Sequence, residues 1–280
     1  MQNKKFIVKS TGLKEVFDKT KLENSLKNSG ADIETITKII NEVMPWIYEG
    51  LTTNELYKKA YSLLKKNKRG NAARYSLKSA IMELGPSGFP FEQFIGQLLK
   101  LQGFEVEVGQ IIQGQCIQHE VDVVATSTNK QFLIECKYYN TPGKFASVQV
   151  PLYVHSRMND IIKKRSALPE YKDLYFYGWI VTNTRFTSDA EDYGKCSGMH
   201  LLSWDYPKGH SLKDMIEKNN FFPITVLTSL DKLFKNELIK NGIVVCDQIK
   251  NNPTILNNFG INDSKIKNIM SEINEIFSVE

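Results

Sequence analysis

The stretch from Ile117 to Tyr139, IQHEVDVVATSTNKQFLIECKYY, constrains the fold more than any other part of the chain. Its two halves, HEVDVVA and QFLIECKYY, are rich in β-branched and aromatic residues, with polar residues at alternate places. The polar residues around Ser127–Lys130 read as a short turn, so the stretch is expected to fold as a hairpin. Side chains alternate along a strand, which sends Glu135 and Lys137 to one face and Ile134 and Cys136 to the other. The first strand can bring Asp122 alongside. Two carboxylates and a lysine would then share one end of a sheet whose other positions are apolar. By itself this also describes a half-buried hairpin with an ordinary surface salt bridge.

The flanks add a pattern. Phe91, Phe94, Ile95, Leu98 and Leu99 form the apolar face of a helix that stops at Gly103. Glu105–Val108 reads as a strand leading into the hairpin. After the hairpin, Ser147–Ser166 reads as a helix with Pro151 in its first turn or at a break. Leu174–Thr182 is nearly continuously apolar, as expected for a strand buried on both faces. Thr187 starts another helix, and His200–Trp204 is a final short strand. The expected order is helix, three strands, helix, strand, helix, strand.

The spacing of Asp122, Glu135 and Lys137 resembles the PD-(D/E)xK nuclease signature. Together with GFEVEV, FLIECKYY, GWIVTNTRFTSDAEDYG and MHLLSW, it makes residues 88–218 resemble the Mrr-type branch of restriction-endonuclease-like proteins. The resemblance implies an α/β fold, a mixed sheet flanked by helices, and Mg²⁺-dependent hydrolysis of DNA phosphodiesters. Such cleavage needs a hard cation to neutralise developing charge and lower the pKa of a water, and Mg²⁺ favours carboxylate oxygens. Asp122 and Glu135 would supply ligands, with the backbone carbonyl of Cys136. Lys137 would orient the water and stabilise the transition-state charge; with a lowered pKa it would act as a base. Glu92 either aims at the same metal or is a solvated glutamate favoured by the start of its helix. Gln149 stands where relatives often carry a polar residue just past the active strand. Glu120 shares strand parity with Asp122. His119, His155, His200 and His210 lack metal-ligand spacing and read as structural or surface histidines.

Towards the N-terminus, Phe6–Lys9 and Lys14–Phe17 read as a small hairpin around Ser10-Thr-Gly12, followed by Asp18 at a helix N-cap. Helices follow at Leu22–Leu26, Ile33–Val43, Leu56–Leu64 and Ala72–Leu84. This set resembles the ATP-cone over residues 4–84, on the strength of Val8-Lys9-Ser-Thr-Gly12, Glu15, Phe17-Asp18, Lys21-Leu22, Leu51-Thr-Thr53 and Ala73-Arg74-Tyr75. The resemblance implies ATP or dATP as a regulatory ligand, with Lys9 and Lys21 on the phosphates and Glu15 and Thr53 on the adenosine side. Ser10 departs from the family, which often has a second basic residue there. No Walker-type loop is present to hydrolyse the nucleotide.

In the last sixty residues, Ile224–Gly242 and Pro253–Phe277 read as helical stretches. Gly242-Ile243 and Phe259-Gly260-Ile261 make the segment look like helix-hairpin-helix domains, with Asn262 in place of a usual second glycine. Contact with DNA phosphates and a role in packing or protein contact are both open.

The 280 residues, 41% hydrophobic and 24% charged, can bury globular cores. Domains are expected at 1–86, 87–220 and 221–280. Net charge is uneven: residues 1–85 carry 16 Lys and Arg against 9 Asp and Glu, a net +7, whereas 86–220 carry 14 against 15. An anionic partner is expected at the basic N-terminal third. The four cysteines form no CxxC pair and read as reduced, mostly buried thiols. No apolar run approaches a membrane span and no signal peptide is seen, so a cytoplasmic protein is expected. The expected partners are DNA, an adenine nucleotide, and a second copy joined through the cone or nuclease domain. The alternative is a catalytically inactive, nucleotide-responsive DNA-binding or oligomerising protein.

Overall fold

The structure, a computed structural model, describes residues 5–9, 12–141 and 143–278. Ser10 and Thr11 of the expected glycine turn lie outside the described residues. Strands β1 (Phe6–Val8) and β2 (Lys14–Val16) pair antiparallel. Gly12 takes a φ of 82° in the connection, a conformation open to glycine at little cost. Helix α1 (Lys19–Asn28) starts at Asp18, whose side chain accepts from the Thr20 N–H, and α2 (Ile33–Val43) starts at Asp32 in the same manner. Strand β3 (Leu51–Thr52) joins β1 in parallel, giving the order β2-β1-β3. Thr52 and Glu55 then form a reciprocal capping box at the start of α3 (Thr53–Asn67). Leu22, Leu26, Ile39, Ile40, Leu51 and Leu64 form the core between these elements.

The helix expected over Ala72–Leu84 is two helices, α4 (Arg69–Tyr75) and α5 (Leu77–Met82). Ser76 separates them: its hydroxyl donates to the Ala73 carbonyl, the local bond by which serine competes with a continuing helix.

Helix α6 (Phe89–Leu101) buries Phe91, Phe94, Leu98 and Leu99. It leads to β4 (Glu105–Gln113), β5 (Gln118–Ser127), β6 (Lys130–Lys137), the short β7 (Phe145–Ala146) and α7 (Gln149–Arg165). Then come β8 (Tyr175–Thr182), β9 (Arg185–Phe186), α8 (Ser188–Cys196), β10 (His200–Leu202) and α9 (Leu212–Lys218). The five-stranded sheet has the order β10-β8-β6-β5-β4. β5 pairs antiparallel with both β4 and β6, while β8 pairs in parallel with both β6 and β10. The protein is thus mixed α/β. Against β4, Gly96 of α6 lies so close that a Cβ there would stand 2.9 Å from Val108. Val154, Met158 and Ile161 of α7 pack with Val124 and Leu133 in a second cluster.

Strand β8 is not buried on both faces throughout. Ile180 and Val181 are buried, but Tyr175 is 64% exposed, and Tyr177 and Trp179 are half-buried in an aromatic group around Phe132. An aromatic ring keeps strand propensity without needing full coverage, which is why the apolar run overstated the burial.

Helix α10 (Lys232–Lys240), α11 (Cys246–Asn251) and α12 (Asp263–Phe277) complete the chain. The expected helical stretch from Ile224 begins with a 3₁₀ turn, Ile224–Val226, and Pro253–Phe259 is a second one ending at Gly260 with φ of 69°. Two compact units result. Residues 1–80, 224–237 and 246–280 make one, and residues 81–223 with 238–245 make the other, so the segment 221–280 is divided between them. In the first unit, Arg74 of α4 donates from Nε and Nη2 to the Ile276 carbonyl of α12 at 3.0 and 2.9 Å. Among the described residues no helix is long and apolar enough to cross a membrane. Cys136 and Cys246 are buried, but Cys116 and Cys196 are exposed, so only half of the expected thiol burial is found.

Candidate active site

The β5–β6 register ends with Val123 opposite Ile134, and Asp122 and Glu135 are the next residues of the two strands. The Cys136 N–H donates to Asp122 Oδ2 at 2.7 Å. Glu135 is 5% exposed and both of its oxygens are occupied: Lys137 Nζ donates to Oε1 at 3.0 Å and Arg157 Nη1 to Oε2 at 2.6 Å. Arg157, from α7, also donates to the Glu120 carbonyl. Helix α6 supplies Glu92 in its first turn, where Gly88 leaves room: a Cβ there would lie 3.2 Å from Glu92 Oε1.

These charges act on one another. Burial, then the negative charges of Asp122, Glu120 and Glu135, push the Glu92 carboxyl up to about 7. Burial and Glu135 likewise push Asp122 up to about 6, against the Cys136 N–H, Lys137 and Arg157. Burial works against the Lys137 ammonium, but Glu135 and Asp122 outweigh it and raise its pKa. Lys137 is therefore a charged donor in the metal-free protein. Burial also pushes the Cys136 thiol well up, leaving it inert.

Glu92, Asp122, Glu135 and Lys137 thus fall in one neighbourhood. Gln149, the first residue of α7, is exposed and makes no hydrogen bond to that group among the described residues. Among the described residues no group of three His, Cys, Asp or Glu side chains is arranged to hold a metal. The donor chemistry nevertheless suits a hard cation, because oxygens that hold protons up to pH 6 or 7 are short of positive charge. Asp122 Oδ1 and Glu92 are the least committed of them.

Several supporting residues escaped the sequence reading. Arg157 carried a signal: it shares helical spacing with Val154, Met158 and Ile161, a charge on an apolar face. Asn183 and Thr182, just past β8, carried none. Asn183 is fully buried; its Oδ1 accepts from the Tyr139 N–H at 2.9 Å and its Nδ2 donates to the Tyr139 carbonyl at 2.8 Å. Thr182 Oγ1 donates to the Lys137 carbonyl at 2.7 Å, so the end of β6 is held on both sides of Tyr138. Asp160 of α7 binds His119 Nε2 at 2.8 Å and the Cys116 N–H at 3.0 Å, which makes His119 a structural residue.

In the N-terminal unit, Glu15, Lys21 and Thr53 line one cavity of about 180 Å³ with Ile7, Tyr57 and Tyr75. Lys9 and Lys21 both bind Glu15 Oε2, at 2.7 and 3.3 Å, and these partners, Lys9 foremost, lower the Glu15 pKa.

Residues 85–206 match the Mrr catalytic family, described as "Restriction endonuclease", and residues 222–277 match "AF1548-like, C-terminal". An uncharacterized protein of Archaeoglobus fulgidus is 31% identical over 183 residues, which are 65% of this chain and 99% of that one. A crystal structure of a protein of unknown function, AF1548, aligns at 28% identity with a TM-score of 0.57, over 69% of this chain and all of that one. The MspJI restriction endonuclease in complex with a 27-mer oligonucleotide aligns at 13% identity and a TM-score of 0.36, over 75% of this chain and 44% of that one. The segment that carries the five-stranded sheet is an Mrr-type restriction endonuclease domain. The chain belongs to the family of the Archaeoglobus fulgidus relative, with an AF1548-like segment following that domain. About a third of the chain lies outside the match to each relative.

Proposed function

We propose that the chain is a Mg²⁺-dependent DNA endonuclease regulated by ATP or dATP at its N-terminal unit, acting on foreign DNA or in repair. The observation that carries the reading is the gathering of Asp122, Glu135 and Lys137 just past the last recorded β5–β6 pair, with Asp122 bound to the Cys136 N–H and Lys137 bound to Glu135. Membership in a restriction endonuclease family supports it. Asp122, Glu92 and Glu135 would hold the ion, with the Cys136 carbonyl as a further oxygen. A bound Mg²⁺ supplies Lewis acidity and a water of lowered pKa. Lys137, charged and half-exposed, reaches towards the phosphate and offsets charge in the transition state. Arg157 fixes the Glu135 carboxylate, and Gln149 remains a candidate for contact with substrate rather than with the carboxylates. Lys9, Lys21, Glu15 and Thr53 are assigned to the nucleotide, on the resemblance to the ATP-cone and on the cavity that Lys21, Glu15 and Thr53 border, with Lys9 bound to Glu15. The C-terminal turns at Gly242 and Gly260 are assigned to packing.

The test is nicking of supercoiled plasmid with Mg²⁺ by the wild type, Asp122→Ala and Lys137→Ala. Loss in both variants is expected; equal nicking by all three removes the assignment. A second reading, a non-catalytic nucleotide-responsive DNA-binding protein, draws on the occupation of both Glu135 oxygens by Lys137 and Arg157. It predicts salt-sensitive DNA binding with no nicking under any metal.

A further inference from the structure

A second charged site lies in the N-terminal unit, away from Lys9 and Lys21. The turn from α3 to α4, Lys65-Lys-Asn-Lys-Arg-Gly70, and the last turn of α12 enclose an open cavity of about 690 Å³. Lys65, Lys66, Lys68, Arg69, Asn71 and Glu275 line it. Gly70 permits the close approach that shapes it, since a Cβ there would meet the Glu275 carbonyl oxygen at 2.7 Å.

The charges in this cavity do not balance. Lys68 is paired with Asp32 at 3.0 Å, and Arg69 Nη1 donates to the uncharged Asn268 side chain at 2.9 Å. Lys65 and Lys66 are exposed and have no acidic partner among the described residues. Glu275 is the carboxylate that faces them, and its Oε2 accepts from the Gly70 N–H at 3.4 Å. Lysines in the last turn of α3 are favoured by the helix end alone, so they do not by themselves require a ligand. Asn71 does not have that explanation. It is 2% exposed, and its Nδ2 has no hydrogen-bond acceptor among the described residues. A buried amide donor is normally satisfied, and an unsatisfied one marks a place for an absent acceptor.

An anion with several acceptor oxygens answers both features: it meets the excess of Lys65, Lys66 and Arg69 over the single carboxylate of Glu275, and an open amide donor. We propose that this cavity binds a phosphate group, supplied by a nucleic-acid backbone or by a free phosphate ligand. The inference does not depend on the nuclease or on the nucleotide reading, since none of those residues lines the cavity.

The experiment measures binding by the full chain, without divalent metal, of inorganic pyrophosphate by calorimetry and of a labelled DNA duplex by anisotropy across salt concentrations. The wild type is compared with Lys65→Glu/Lys66→Glu, with Asn71→Asp, and with Lys58→Glu/Lys59→Glu on the same helix outside the cavity. The first pair is expected to weaken one probe by about tenfold or more, and for duplex to lower the slope of log K against log salt by about two. Loss with duplex assigns the phosphate to a nucleic-acid backbone, and loss with pyrophosphate alone to a free ligand; either supports the site. Asn71→Asp is expected to weaken the same probe. Unchanged binding of both probes in the Lys65/Lys66 variant overturns the proposal, and so does an equal loss in the Lys58/Lys59 control. The exposed lysine variants decide the matter even where Asn71→Asp does not fold.

Discussion

Glu92 and Asp122 carry carboxyls raised to about 7 and about 6, chiefly by burial and then by the charges of Asp122 on Glu92 and of Glu135 on Asp122. A folded-state pKa above the unfolded one means that stability is fully present below the unfolded value and is lost as pH rises through the folded value. The metal-free protein should therefore lose stability between about pH 4 and pH 7 on account of this pair. Asp122→Asn, which can still accept from the Cys136 N–H, should stabilise it by about 2 kcal/mol at pH 8 and by little at pH 4. Urea unfolding at the two pH values checks this; an equal effect at both would remove the charge explanation. Arg157 makes the opposite case. Arg157→Ala leaves the nearly buried Glu135 with Lys137 alone and should cost about 3 kcal/mol near neutral pH. Arg157→Lys should recover part of this, since an ammonium lacks the planar fork that serves both Glu135 and the Glu120 carbonyl. Asp122, Glu135 and Lys137 were legible in the sequence because a strand pair fixes who faces whom. Arg157 was less so, because which helix face meets which strand is a property of the packed sheet.

At the scale of elements, strict alternation explains β6 but not all of β5. Val121 and Val124, three residues apart, both belong to the cluster built on Val154 and Met158 of α7. The alternation breaks between them, at Asp122, and Gly109 stands opposite in the β4 register with φ of 67°. A glycine tolerates the twist that such a break needs. The order of helices and strands in residues 88–218 was readable from apolar periodicity, because each element buries one face against the next. The clamp on the end of β6 was not, because Thr182 and Asn183 look like ordinary polar residues after a strand until the parallel β6–β8 pairing sets them beside Lys137 and Tyr139. Asn183→Ala removes two backbone hydrogen bonds in a buried place and should cost about 2 kcal/mol. It should also speed amide exchange at Tyr139 while leaving exchange in α6 unchanged below global unfolding. Unaltered exchange at Tyr139 would show that the clamp does not hold the strand end.

For the whole molecule, the uneven charge visible in the sequence has a structural counterpart in the N-terminal unit, where Lys9 and Lys21 converge on Glu15. Which lysines would gather was readable only through a family resemblance; that one carboxylate holds both was not, since it depends on the β1–β2 pairing that sets Glu15 opposite Ile7. This pairing gives the nucleotide reading a sign. If the proposed nucleotide binds there, its triphosphate would compete with Glu15 for both ammonium groups, so removing the carboxylate's charge should strengthen binding. Glu15→Gln is expected to raise the thermal shift produced by ATP or dATP, and Lys9→Ala with Lys21→Ala to abolish it. Ligand at about 100 times its Kd should add about 2.7 kcal/mol to the stability of the state that binds it. If Glu15 instead contacts the adenosine, Glu15→Gln weakens the shift while the lysine variants still abolish it, which separates the two placements of this residue. A regulatory role then requires that nicking activity change over the same nucleotide concentrations as the thermal shift, because coupling between two sites acts through the affinity of each. A shift with no change in nicking would leave the N-terminal unit a nucleotide-binding module without control over the Asp122–Glu135 site.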